Sequence, residues 1–146
     1  MNNSALIDEM LSNAHTIAVV GMSDKTWRAS HHIGSYLAAN GYRVMPVNPA
    51  LSEVRGMKCY PDLVTAQAAA RELTGAGIDL VDVFRASDHV PAIVDDVIRL
   101  GILYLWLQDG VIHDEAKARA EAAGVKCIQN DCIFREHSAR PARSVR

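Results

Sequence analysis

The sequence predicts an α/β fold: a three-layer, Rossmann-like, doubly wound single domain on a parallel five-stranded sheet. Three observations predict it. Short apolar runs recur five times with almost no polar alternation, which is how strands read when both faces are buried. Helix-period segments separate those runs, as the crossovers between parallel strands require. The length of 146 residues, with 49% hydrophobic and 22% charged side chains, fits one compact domain with a substantial core.

Residues 1–13 read as an amphipathic N-terminal helix covering an edge of the sheet. Leu6, Ile7, Met10 and Leu11 fall at helical spacing, and Asn3 or Ser4 can cap it. The domain proper is expected over 14–137. Its first strand, 15–20, shows almost no alternation and stops at Gly21. After a polar loop, 30–40 reads as a helix that Ser30 is placed to cap. Ile33 and Leu37 point inward, Gly34 permits close approach to the sheet, and Gly41 serves as a left-handed stop. The second strand, 42–47, is closed by Pro46, Asn48 and Pro49. Residues 50–60 read as a loop carrying Arg55, Gly56 and Lys58, and an alanine-rich helix runs from Pro61 towards Leu73 until Thr74-Gly75-Ala76-Gly77 breaks it. The third strand, 78–84, ends abruptly at Phe84. Ser87 or Asp88 caps the next helix, whose Val90, Ile93, Val94, Val97, Ile98 and Leu100 form an apolar stripe before Gly101. The fourth strand, 102–107, leads into Gln108-Asp109-Gly110. A helix from about His113 follows, with Ala116, Ala120 and Ala123 inward, and 125–129 is the fifth strand. The stretch 138–146, with Pro141 and three arginines, reads as a disordered basic tail.

A formal net charge of −2 argues against the broad basic face that duplex nucleic acid needs, so any anion site is local. No apolar stretch is long enough for a membrane span. The start Met1-Asn2-Asn3-Ser4 lacks the basic flank and long apolar core of a secretory signal, so a soluble, cytoplasmic protein is expected. Cys59, Cys127 and Cys132 are odd in number and form no CxxC pair, which speaks against a disulfide framework or a zinc site. No metal site is expected.

In a doubly wound sheet ligands sit outside the carboxyl ends of the strands, where strand order reverses. The most specific stretch at such an end is Gly21 to Ser30. Successive N–H groups of a turn there, with the positive end of the following helix, form a concavity for anionic oxygens. The dinucleotide fingerprint GxGxxG is absent, because Gly21 is followed by Ser23 and Thr26 where glycines belong. The acidic residue that an NAD site places at the end of the second strand is replaced by Asn48-Pro49. The Ser23 hydroxyl, Lys25 and Arg28, with Arg55 and Lys58 as further cations, suit a ligand with more phosphate than NAD. Coenzyme A, with a pyrophosphate and a ribose 3′-phosphate, is such a ligand. The competing reading of these cations is a solvated loop surface, and of Phe84 a packed core aromatic.

The motifs 21–30, 41–49 (Gly-Tyr-Arg-Val-Met-Pro-Val-Asn-Pro), 81–85 (Val-Asp-Val-Phe-Arg), 106–110 (Trp-Leu-Gln-Asp-Gly) and Cys132 with Glu136-His137 carry a family resemblance. Their order and spacing resemble the small stand-alone CoA-binding proteins, which are similar to the N-terminal CoA-binding domain of the succinyl-CoA synthetase alpha subunit. The resemblance covers about 15–137. One departure is Ala29, where that family has a proline after the loop arginine. The resemblance implies that the adenosine diphosphate portion of CoA or acyl-CoA lies on Gly21, Met22, Ser23, Lys25 and Arg28. It implies that Asn48 and Pro49 flank the adenosine with Leu51 nearby, and that Phe84, Arg85 and Ala86 line the nucleotide.

Cys132, Glu136 and His137 form the one cluster with chemical potential, read as a Cys–His pair or, preferably, as a structural thiol near the pantetheine end. His31 and His32 stand at a helix start within reach of a phosphate. The leading expectation is a CoA-binding module without an autonomous catalytic apparatus, since the ligase relative uses a phosphorylated histidine and a grasp domain that this length does not hold. The rivals are a small NAD(P)-dependent oxidoreductase, for which a catalytic Tyr-xxx-Lys pair is missing, and a CoA-responsive regulatory partner protein. An edge strand and the N-terminal helix leave room for a homodimer or a protein partner.

Overall fold

The computed structural model describes residues 3–141. Its elements are α1 (Ser4–Asn13), β1 (Thr16–Val20), α2 (Ala29–Ala39), β2 (Arg43–Val47), β3 (Glu53–Val54), β4 (Met57–Lys58), α3 (Leu63–Thr74), β5 (Leu80–Val83), a 3₁₀ turn (Ser87–His89), α4 (Val90–Leu100), β6 (Tyr104–Leu107), α5 (Asp114–Ala122), β7 (Lys126–Ile128) and α6 (Ile133–Ser138). The five long strands form a parallel sheet in the order β2-β1-β5-β6-β7. The chain therefore winds outward from β1 to one edge, returns, and winds outward again from β5. The point where strand order reverses lies between β1 and β5, which is where such sheets open a crevice.

Two apolar layers sandwich the sheet, as the absence of alternation in the strands requires. One face packs Val81, Val83, Leu105 and Leu107 against α3, α4 and α5 through Ala66, Val94, Val97 and Ala120. The other packs Ile17, Val19, Leu80 and Trp106 against α1, α2 and α6 through Met10, Leu11, Ile33, Leu37 and Ile133. Asn3 caps α1, its Oδ1 accepting the Ala5 N–H at 2.8 Å, and Glu9 reaches Lys126 of the edge strand β7.

Three local readings change. Residues 50–60 are not a plain loop, because β3 and β4 pair antiparallel across Arg55 and Gly56, whose φ values of 50° and 78° make the tight turn. The edge of β2 is then covered by Tyr60, whose N–H donates to the Pro46 carbonyl, so the proline sits where no ladder donor is needed. Ser87 does not cap α4; its hydroxyl accepts the Ile112 N–H at 2.9 Å and the chain enters α4 through the 3₁₀ turn. The basic tail does not begin at Ser138, which closes α6. Arg140 bonds Asp8 at 2.6 Å and Glu136 at 2.9 Å, tying the chain end to α1. The rest of that tail, 142–146, lies outside the described residues.

Candidate functional site

The site is built where three strand ends meet. Gly21 follows β1 with φ +86° and donates to the Val47 carbonyl at 2.8 Å, while Phe84 donates to the Val20 carbonyl at 2.9 Å. A Cβ on Gly21 would stand 2.7 Å from the Phe84 carbonyl oxygen and 3.0 Å from Arg85 Cδ. Glycine is thus required twice, by the left-handed backbone and by the close passage of the chain leaving β5.

The loop that follows is braced from within. The Ser23 N–H donates to Ser30 Oγ at 3.0 Å, the Lys25 N–H to Ser23 Oγ at 3.0 Å, and the Arg28 N–H to the Lys25 carbonyl at 3.0 Å. Ser30 therefore does not cap α2. It lies inside the first turn, and Arg28 takes the cap position without a side-chain bond. The positive end of α2 has no side-chain cap, and the Ala29 and Ser30 N–H groups have no partner among the described residues.

A cleft of about 490 Å³ opens over this end of the helix. Gly21, Ser23, Lys25 and Arg28 line it from the first loop, Asn48 and Leu51 from the loop after β2, and Phe84 from the end of β5. The cleft thus brings together residues from three separate predicted stretches. Asp24, Ala29, Ser30 and Ala50 also line it, and sequence reasoning did not single them out as ligand-facing. For Ala29 and Ser30 the signal was present, since the first residues of a helix present their amides to whatever lies before it.

The remaining predicted site residues fall outside this lining. Met22 is fully buried, its thioether lying where a Cβ on Gly34 would be 2.5 Å away, and it meets the cleft's frame only through its carbonyl, which accepts from Asn48 Nδ2 at 3.1 Å. Pro49 lies between the lining residues Asn48 and Ala50, and Ala86 lies two residues beyond Phe84. Arg85 runs its stem along Gly21 and places Nη2 3.1 Å from His89 Nε2. A guanidinium has only donors, so that imidazole nitrogen is the acceptor. Lys25, Arg28 and Arg85 have no carboxylate partner among the described residues, and Asp24 is the one acidic side chain in the lining. Arg55 and Lys58 do not join them. Arg55 stands at the β3–β4 turn and the Lys58 ammonium lies 5.5 Å over the Tyr60 ring.

The contacts of the other cluster are structural. His137 Nδ1 lies 2.6 Å from the Tyr36 hydroxyl, Glu136 binds Arg140, and Cys132 is buried at the start of α6. His32 sets its ring edge-on to Phe134, with centroids 5.4 Å apart, so it too helps dock α6 on α2. Burial pushes the Cys59 thiol up, and the Cys127 thiol up to about 12, so both are neutral at pH 7. Asp82 lies in the middle of the sheet, fully buried, with both carboxyl oxygens lacking a hydrogen-bond partner. Desolvation raises it well above the usual aspartate range.

Among the described residues no helix is long and apolar enough to cross a membrane, and no three His, Cys, Asp or Glu side chains converge as metal ligands. The sequence model of a family described as CoA binding domain matches residues 15–138. An uncharacterized protein of Bacillus subtilis (strain 168), YneT, is 32% identical over 136 residues, which are 93% of this chain and 95% of that one. Among solved structures, a hypothetical protein from Pyrococcus horikoshii OT3 is 33% identical with a TM-score of 0.84, covering 94% of this chain and 92% of that one. The dinucleotide-forming acetyl-coenzyme A synthetase 1 of Ca. Korarchaeum cryptofilum is 25% identical with a TM-score of 0.67, covering 84% of this chain and 27% of the synthetase.

Proposed function

The chain belongs to the family of CoA-binding domains, and from that premise we infer that it binds coenzyme A or an acyl-CoA in the cleft at the ends of β1, β2 and β5. The pyrophosphate lies against the Ala29 and Ser30 amides at the uncapped start of α2, with Lys25 and Arg28 neutralising it from the loop and Arg85 from the end of β5. The adenosine lies along Asn48, Pro49 and Leu51, and Phe84 and Ala86 line the nucleotide beside Gly21. The Ser23 hydroxyl, which already accepts the Lys25 N–H, keeps its own proton to donate to a phosphate oxygen.

One observation carries this reading. Two cations without carboxylate partners, Lys25 and Arg28, line the cleft at an open helix N-terminus, in a chain whose formal net charge is −2. Asp24 offsets part of that charge, so the amides are needed as well as the side chains. A nicotinamide dinucleotide is the weaker ligand, because Asn48 cannot accept both ribose hydroxyls as a carboxylate does and Gly21 is not followed by a second glycine at position 23.

Isothermal titration with CoA, acetyl-CoA, dephospho-CoA and NAD tests the reading. CoA and acetyl-CoA are expected to bind alike, since the acyl group is remote from the phosphates, and dephospho-CoA more weakly because it brings less negative charge to a locally positive cleft. Tight NAD binding with no CoA binding would reverse the assignment.

A further inference from the structure

Trp27 stands in the middle of the loop and is 77% exposed, whereas the other tryptophan, Trp106, is fully buried. Large aromatic side chains bury 150–250 Å² when packed, at roughly 25 cal/mol per Å², so an exposed one forgoes that gain. Two ordinary reasons for such a residue do not apply. It is the residue before the cap of α2, where an apolar side chain often packs against the residue one turn into the helix. That residue is His32, whose ring is set against Phe134 instead. Nor does Trp27 belong to either core layer.

Its place in the loop is specific. The Arg28 N–H closes on the Lys25 carbonyl at 3.0 Å, so Thr26 and Trp27 are the two central residues of a turn whose ends both line the cleft. The indole stands outside the lining, and an exposed aromatic turns about its two side-chain torsions on a fast timescale. The loop after β2 contributes Ala50 and Leu51 to the same cleft, an apolar surface on which a planar group can rest.

We propose that Trp27 is a base-stacking residue, its indole folding over the adenine ring of bound CoA while Lys25 and Arg28 on either side of it hold the phosphates. The proposal rests on the CoA reading given above. Stacking of a base on an aromatic side chain depends on its π face and not on its hydrogen-bonding edge. Trp27 therefore adds affinity for the nucleoside without choosing among bases, and discrimination for CoA comes from the phosphates.

The test compares wild type, Trp27→Ala and Trp27→Phe by calorimetry with CoA, together with acrylamide quenching of tryptophan emission. Because the side chain is exposed, the melting temperatures of all three are expected to agree. Trp27→Ala is expected to weaken CoA binding roughly 5- to 150-fold, the range of base–aromatic stacking, with Trp27→Phe recovering most of the loss. CoA is expected to shield the accessible part of the wild-type emission from acrylamide. If wild type and Trp27→Ala bind CoA equally, the stacking role is overturned and the CoA reading stands. If Trp27→Ala instead changes only the sedimentation behaviour, the indole serves a protein contact and the proposal is equally overturned. If wild type binds no CoA, both fall together.

Discussion

At the scale of single residues, Gly21 and Asp82 make opposite demands. A side chain at Gly21 must adopt φ +86° and meet the Phe84 carbonyl at 2.7 Å, so Gly21→Ala is expected to lose about 2 kcal/mol or more, from left-handed backbone strain plus the displacement of a strand end. Urea unfolding reads this directly, and an unchanged midpoint would mean that the chain leaving β5 yields freely. Burial disfavours the charged form of the Asp82 carboxyl and raises its pKa well above the usual aspartate range. The unfolded chain gives up the carboxyl proton near the ordinary aspartate value and the folded chain holds it to higher pH. Stability is therefore lost as pH rises through this window, at about 1.4 kcal/mol per pH unit, until the folded group ionises. Asp82→Asn removes the slope. The variant should match wild type in acid and exceed it towards alkaline pH, whereas a difference between the two that is the same at every pH would contradict the raised pKa. Neither residue was equally legible in sequence. Gly21 announced itself by ending an apolar run, whereas Asp82 read only as one polar position in a strand, and its lack of a partner exists only once β1 and β6 flank it.

At the scale of elements, the strands and long helices were legible because each repeats one physical signal over several residues: unbroken apolarity for strands buried on both faces, and a helical stripe for α4. What escaped was short or relational. The β3–β4 hairpin has two residues in each strand, too few for a pattern, and was betrayed only by Arg55-Gly56 at its turn. Helix α6, Ile133–Ser138, is shorter than two turns, so Ile133 and His137 could not show a period. Ser30 was read as a cap because its residue type and place fit one, yet its hydroxyl is used by the Ser23 amide, a partnership set by the fold of the loop. Ser30→Ala is accordingly expected to cost about 1 kcal/mol of stability and to loosen the Gly21–Ser30 loop. CoA affinity, if the proposed site is right, should fall several-fold. Thermal melts and calorimetry on the one variant measure both, and an unaltered affinity would show that the brace is dispensable for binding. Arg140→Ala examines the far end of the chain. Releasing Asp8 and Glu136 is expected to cost about 1–2 kcal/mol, since this guanidinium is mostly covered and its bonds are charge-assisted.

At the scale of the whole molecule, the fold decides where a ligand can be, and the first loop decides what kind. Strand order β2-β1-β5-β6-β7 opens its crevice between β1 and β5 whatever the side chains. The seven predicted residues that line the cleft, Gly21, Ser23, Lys25, Arg28, Asn48, Leu51 and Phe84, come from three loops that only this topology brings together. Topology made them legible in advance as strand ends. Arg55 and Lys58 stand outside the lining because their loop folds back on itself as a hairpin. A net-negative protein with a locally positive cleft should bind its anion more weakly as salt rises, because the cations are exposed and screened within about 10 Å at 0.1 M. The most direct measurement is a calorimetric titration of CoA into wild type and into the double variant Lys25→Ala/Arg28→Ala at one fixed low ionic strength. The account predicts a single site in wild type and an affinity roughly 100-fold lower in the variant, from about 1.5 kcal/mol for each charged contact. Equal affinity in the two proteins, or no CoA binding by wild type, would contradict it.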